Sequence, residues 1–132
     1  MLQASNTQKL FCLCCCCGCS CEVLSNAKKL EKPAQFFLTH YYSTVDPDLC
    51  TACHTCENVC PMDAFVFGDS GVAEVNRDRC IGCGVCVPKC PTEAIHLVRK
   101  PTPEYIPPVN MIDMYREIAR KRAELQKLKG QN

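Results

Sequence analysis

One twelve-residue pattern occurs twice in this chain, and the duplication constrains everything around it. The first copy reads Cys50-Thr51-Ala52-Cys53-His54-Thr55-Cys56-Glu57-Asn58-Val59-Cys60-Pro61. The second reads Cys80-Ile81-Gly82-Cys83-Gly84-Val85-Cys86-Val87-Pro88-Lys89-Cys90-Pro91. Both are C-x2-C-x2-C-x3-C-P, set 30 residues apart. The repeat extends past the cysteines. Val45 falls on Val75, Asp48 on Asp78 and Ala64 on Ala94, while Asp46/Asn76, Asp63/Glu93 and Phe65/Ile95 are close in kind. Each half is expected to run as a short strand, a cysteine loop, one helical turn opening at the proline, and a second strand. Proline suits the first helical position because its missing N–H has no intrahelical partner there.

Thiolates at this spacing are suited to iron–sulfur chemistry. In a 4Fe–4S core each iron takes one thiolate and three sulfides. Three cysteines at i, i+3 and i+6 wrap one face of such a core in a tight loop. The x3 gap carries the fourth cysteine onto the following helical turn, towards the other cluster. The spacing therefore predicts cluster I on Cys50, Cys53, Cys56 and Cys90, and cluster II on Cys80, Cys83, Cys86 and Cys60. A crossing of this kind makes loading and folding one event. Structural zinc sites pair C-x2-C knuckles across longer gaps, a different pattern.

Residues 45–98 resemble the bacterial-type two-4Fe–4S ferredoxin family in all eight cysteines and in Pro61 and Pro91. The resemblance implies a pseudo-twofold α+β fold of two short hairpins and two short helices. It also implies one-electron transfer at low potential and no substrate chemistry of the chain's own. No cysteine of either run is replaced by aspartate, so a 3Fe–4S variant is not indicated. Between the halves, Gly82 and Gly84 stand where Ala52 and His54 stand. Glycine admits backbone N–H groups closer to the sulfides, so the two clusters are expected to differ in potential. His54 is read as an ordinary loop residue, and Phe65, Phe67, Ile95 and Leu97 as core that shields the clusters from water.

Cysteine usage places the protein in a reducing compartment. There are 15 cysteines, an odd number, whereas secreted disulfide frameworks favour even counts. No apolar run of about 18 residues is present, and Met1–Phe11 lacks the apolar core of a signal peptide. The expected location is cytoplasmic. Charge is segregated. Residues 1–44 carry net +2, residues 45–98 carry three basic and eight acidic side chains for net −5, and residues 99–132 carry net +4. An acidic centre beside a basic tail suits electrostatic docking to redox partner proteins such as oxidoreductases. Nucleic-acid binding is disfavoured, because no zinc-finger, RNA-binding or helix-turn-helix signature accompanies that centre.

Four regions are expected: a Cys-rich extension (1–35), the two-cluster domain (36–100), a Pro-rich linker (101–109) and a C-terminal helix (110–132). In the extension, residues 1–11 are polar and expected to fray. Cys12, Cys14, Cys15, Cys16, Cys17, Cys19 and Cys21 come next, within ten positions. Vicinal cysteines diverge, so only subsets such as Cys12, Cys15, Cys19 and Cys21 suit one further metal or cluster. Together with the rest of the chain, this stretch loosely resembles larger iron–sulfur proteins in which clustered cysteines precede a two-cluster module and a basic helix. A short helix is expected before Pro33, and a strand over Phe36–Val45. The C-terminal helix is capped by Asn110 and carries an apolar stripe of Ile112, Tyr115, Ile118, Ala119, Leu125 and Leu128 up to a stop at Gly130. Such a stripe most often packs on its own domain.

The leading reading is a low-potential one-electron carrier with two 4Fe–4S clusters, not itself an enzyme. The alternative is an iron–sulfur subunit or fragment of a larger oxidoreductase, and a third reading is metal storage or thiol sensing through residues 12–21.

Overall fold

The computed structural model describes residues 2–3, 7–9, 13–37, 39–101 and 106–129, with backbone alone for 2–3, 13–14, 121–122 and 124–129. The elements in chain order are β1 (Leu2–Gln3), β2 (Leu13–Cys14), α1 (Glu22–Lys28), β3 (Tyr41–Val45), α2 (Thr55–Val59), β4 (Phe65–Phe67), β5 (Ala73–Val75), β6 (Ile95–Arg99) and α3 (Met111–Lys129). The chain is a small α+β protein of short antiparallel pairs and mostly short helices. It divides into two units, Cys15–Tyr105 and Leu2–Cys14 with Ile106–Asn132.

Two antiparallel pairs organise the first unit. β4 and β5 pair Phe65 with Val75 and Phe67 with Ala73. The turn between them closes through Gly71 N–H donating to Gly68 C=O at 2.9 Å, with Gly71 at φ 71°. β3 and β6 pair Tyr41 with Arg99 through to Val45 with Ile95, although 49 residues separate the two strands. Matching bonds leave each pair. Asp46 N–H donates to Ala94 C=O and Asn76 N–H to Ala64 C=O, both at 2.8 Å. Asp48 and Asp78 N–H then donate to the Asp46 and Asn76 side chains, each at 3.0 Å. These Asx turns explain why an Asp or Asn recurs at this offset in both halves: the side chain stands in for a backbone acceptor and bends the chain into its cysteine loop.

Three expectations are corrected, one being Leu97, read as shielding core but exposed on β6 and lining neither cavity. The strand before the first loop begins at Tyr41 rather than Phe36, because Pro33–Gln35 form a 3-10 turn that Phe36 N–H extends by donating to Pro33 C=O at 3.0 Å. Leu38, part of that expected strand, lies outside the described residues. The helical turns precede Pro61 and Pro91 rather than opening on them: α2 ends at Val59, and a 3-10 turn spans Val87–Lys89. The residue before a proline is driven out of the helical region, and Cys60 (φ −74°, ψ 120°) and Cys90 (φ −76°, ψ 116°) are both extended.

Cysteines form much of the interior. Cys56, Phe65, Ala73, Cys86 and Ile95 make the buried cluster, with Val45, Val59, Phe67, Val75 and Val87 packed round it. The segment set apart in sequence as an extension is pinned to this unit from Cys15 onward. Leu24 and Ala27 of α1 are buried. Arg79 donates through Nε to Met62 C=O (2.7 Å), and through its terminal nitrogens to Leu30 (3.2 Å) and Lys28 (2.9 Å) carbonyls. Those last two carbonyls lie at the α1 C-terminus, where a helix leaves acceptors without partners. Lys28–Asp63 (2.8 Å) and Lys32–Asp78 (3.0 Å) ion pairs flank the contact.

In the second unit β1 pairs with β2, and Gln8 and Lys9 N–H donate to Pro108 and Val109 carbonyls at 2.9 and 3.1 Å. The stretch 7–9 is thus tied down by backbone bonds rather than frayed. Asn110 caps α3 as expected, its Oδ1 accepting Asp113 N–H at 3.1 Å while its Nδ2 donates to the Asp113 carboxylate at 2.8 Å. Ile112 and Tyr115 on α3 are 63% and 60% exposed. The side chains of Leu125 and Leu128, Gly130, and linker residues 102–105 lie outside the described residues. No described helix is long and apolar enough to cross a membrane.

Candidate metal centres

The loops that carry the cysteines are curled by residues in left-handed conformation. Ala52 (φ 54°) and His54 (φ 57°) alternate with the cysteines of the first loop, and Gly82 (φ 65°) and Gly84 (φ 71°) hold the same positions in the second. The second loop has no choice at Gly82, where an added Cβ would stand 2.1 Å from the Tyr41 carbonyl oxygen. The first loop carries side chains at a cost of about 1–2 kcal/mol per left-handed residue. His54 offsets part of that cost with contacts. Its ring stacks on Phe67 at 4.0 Å between centroids, and its Nδ1 lies 3.0 Å from Glu57 Oε2.

Curling gathers three cysteines per loop, and the extended backbone at the fourth sends it elsewhere. Two cavities result, with about 330 and 310 Å³ of empty space, mouths included. The first is lined by Cys50, Cys53 and Cys56 together with Cys90 from the second run. The second is lined by Cys80, Cys83 and Cys86 together with Cys60 from the first run. All eight cysteines singled out in sequence are brought together in two sets of four. Among the described residues, no three His, Cys, Asp or Glu side chains converge tightly enough to share one metal ion. The donor set fits a multinuclear core that takes one thiolate per iron, with apolar walls from Val45, Ala94 and Ile95 in one cavity and Ala64, Phe65 and Met62 in the other.

The family profile of the 4Fe-4S binding domain matches the chain twice, over residues 43–66 and 73–96. The chain carries two ferredoxin-type 4Fe–4S binding domains. Their presence indicates iron–sulfur electron transfer. Among curated proteins, none matches the chain.

The two binding domains differ in what surrounds their sulfurs. Thr51, Thr55 and Thr92 line the first cavity where Ile81, Val85 and Met62 line the second. Thr55 Oγ1 lies 3.4 Å from Cys53 Sγ, and Thr92 Oγ1 lies 3.6 Å from Cys90 Sγ. The Thr55 hydroxyl, with backbone N–H groups, lowers the Cys53 thiol pKa. Burial pulls Cys90 upward, but the Thr92 hydroxyl and the backbone N–H groups around it win, and its pKa falls. Cys56 of this cavity is raised by burial. In the second cavity burial dominates, raising Cys83 and pushing Cys86 up to about 11. Hydrogen bonds reach the sulfurs there too. Ser43 N–H donates to Cys80 Sγ at 3.4 Å, Ser43 Oγ lies 3.3 Å from Cys86 Sγ, and Ala64 N–H donates to Cys60 Sγ at 3.4 Å.

Sequence reasoning missed these hydroxyl partners. The repeat itself held the signal, since Ser43 falls on Ala73 and Thr92 on Met62 once the halves are aligned. None of the N-terminal cysteines with described side chains lines either cavity. Cys12 and the Cys14 side chain lie outside the described residues, while Cys15, Cys17 and Cys19 are exposed. Cys17 Sγ lies 2.7 Å from Cys19 Sγ and 2.8 Å from Ser20 Oγ, and hydrogen bonds from Cys19 and then Ser20 lower its pKa to about 6. Gly18 packs against Pro61, where an added Cβ would meet Pro61 Cα at 3.1 Å. The cysteine-rich turn therefore sits on the end of the first run.

Proposed function

We propose that this chain is a low-potential one-electron carrier with two 4Fe–4S clusters. Cluster I is held by Cys50, Cys53, Cys56 and Cys90, and cluster II by Cys80, Cys83, Cys86 and Cys60. The observation that supports the reading is the exchange of the fourth cysteine, which gives each cavity three sulfurs from one run and one from the other. Matching Asx turns, left-handed residues and pre-proline breaks 30 residues apart favour a pseudo-twofold module. When bound, each cluster supplies one reversible electron.

The chain's own residues hold the sulfurs, exclude water and set the charge around them. Buried Phe65, Ile95, Ile81 and Met62 wall the cavities. Apolar walls disfavour the extra negative charge of a reduced core, and so does the acidic balance of residues 45–98. Both effects pull the potential down. The same acidic centre supports docking to a basic face on a partner oxidoreductase, and the cysteine count supports a reducing, cytoplasmic location.

A second reading, an iron–sulfur subunit of a larger oxidoreductase, is favoured by the exposed Ile112 and Tyr115 on α3. Anaerobic iron and sulfide analysis with EPR of the reduced protein tests the carrier reading. About eight irons per chain with interacting paramagnets is the expected result. A properly folded, colourless, iron-free protein overturns it, and a native mass showing a stable heteromeric complex turns the assignment to the second reading.

A further inference from the structure

The module buries one hydroxyl against a cavity sulfur and leaves the matching place apolar. Ser43 lies in the middle of β3 and is 3% exposed. A hydroxyl buried without a partner destabilises a fold, so its surroundings must satisfy it. The Ser43 hydroxyl finds Cys86 Sγ at 3.3 Å, while its backbone N–H reaches Cys80 Sγ at 3.4 Å. The residue 30 positions on is Ala73, also 3% exposed, lining the other cavity beside Cys56. Alanine has no side-chain donor.

We propose that Ser43 sets the reduction potential of the second cavity's cluster by donating its hydroxyl hydrogen to the Cys86 sulfur. The proposal rests on the two-cluster reading above. A ligating thiolate carries no proton, so in the loaded protein Ser43 must be the donor. Its O–H dipole then lowers the electron density on Cys86 Sγ. A reduced core carries one more negative charge than an oxidised core, so the bond stabilises the reduced state more and raises the potential. Burial strengthens the effect, because little water competes for the sulfur and the local dielectric is low. The hydroxyls of Thr55 and Thr92 in the first cavity act on sulfurs that are exposed or half-buried, where solvent screens them. Ser43 acts on a buried one.

The test is an anaerobic, EPR-monitored redox titration of four loaded proteins: wild type, Ser43→Ala, Ser43→Thr and Ala73→Ser. Ser43→Ala is expected to move one of the two one-electron steps to lower potential by about tenfold in its reduction equilibrium, or 59 mV, leaving the other in place. Ser43→Thr, which keeps the hydroxyl, restores the wild-type value. Ala73→Ser supplies the missing donor and raises the other step. A loaded Ser43→Ala protein with both steps superimposed on wild type overturns the proposal. Should Ser43→Ala shed iron, Ala73→Ser decides, and no upward movement of either step overturns it. A wild-type chain that takes up no iron overturns the two-cluster reading instead, which separates the two failures.

Discussion

The two cavities are built on one spacing and finished differently. The first opens on threonines and a histidine, with Cys53 and His54 exposed at its mouth. The second replaces Thr51, Thr55 and Thr92 by Ile81, Val85 and Met62. It also abuts a segment outside the repeat: Gly18 packs on Pro61, and Arg79 ties the end of α1 to Met62. A fixed ligand pattern thus leaves the dielectric, the hydrogen bonds and the water access of each site free to vary. Those variables, more than the ligands, separate the potentials of iron–sulfur sites of one type. A duplicated motif predicts two sites but not two equal ones.

The largest effects should come from breaking the exchange of the fourth cysteine. Cys60→Ser removes a sulfur from the second cavity although it sits in the first run, and Cys90→Ser does the converse. Each is expected to lower iron from about eight to about four per chain, with the surviving EPR signal differing between the two variants. Loss at the second cavity should also cost more thermal stability, since Met62 and Ile81, only 1% and 3% exposed, pack round that site. If Cys60→Ser instead removed the cluster of its own run, the pairing of cavities with runs would be wrong.

Next in size is the backbone of the loops. Gly82→Ala places a Cβ 2.1 Å from the Tyr41 carbonyl oxygen in a left-handed residue, and is expected to destabilise by about 3 kcal/mol or more. Ala52→Gly at the matching position relieves left-handed strain of about 1–2 kcal/mol, against about 0.4–1 kcal/mol of added freedom in the unfolded chain. It should be neutral or stabilising by about 1 kcal/mol. Thermal melts of the loaded variants check the pair. Equal losses in both would mean that the loops are not built alike.

Much of this architecture is legible in the sequence. The cysteine spacing and the strand and cysteine loop repeated in each half carry short-range rules that tertiary contacts do not override. The helical turns lie elsewhere than expected because one proline rule, its fitness for the first turn, competes with another. The residue before a proline is forced extended, and at Cys60 and Cys90 the second rule governs. The Phe36–Val45 strand is shorter than expected for a related reason, as Pro33 opens a 3-10 turn that Phe36 extends. The pinning of α1 is not legible. It depends on Arg79 reaching carbonyls 49 and 51 residues away, and no local pattern announces such a bond.

The chemistry of loading offers a subtler separation. A thiol must release its proton to become a ligand, so metal uptake strengthens as pH rises towards the pKa of the free thiol. In the second cavity burial raises Cys83 and carries Cys86 to about 11, so uptake there should keep improving from about pH 7 to beyond about pH 9. In the first, Cys53 and Cys90 are lowered while Cys56 is raised, so the gain should level off sooner. Iron uptake against pH in Cys90→Ser and Cys60→Ser, each keeping one complete cavity, should be steeper in the former. Parallel curves would erase the contrast between the more exposed and the more buried set of thiols.

The smallest expected effect probes the segment beside the second cavity. Arg79 and Lys28 both fasten α1, but by different physics. Arg79 gives charged N–H donors to three backbone carbonyls. A hydrogen bond to a charged group contributes about 1.5–3 kcal/mol after exchange with water, and less where, as at Leu30 and Lys28, the bond is exposed. Lys28–Asp63 is an ion pair with 42% and 57% of its side chains exposed, where solvent and salt screen it to about 0–1 kcal/mol. Arg79→Ala should therefore lower the melting temperature of the loaded protein measurably and speed cluster loss on exposure to oxygen, acting on the second cavity first. Lys28→Ala should be nearly silent, and more so at high salt. A reversal of that order would mean that α1 is held by surface charge, and that the second site owes the burial of its cysteines to its own side chains rather than to the segment packed beside it.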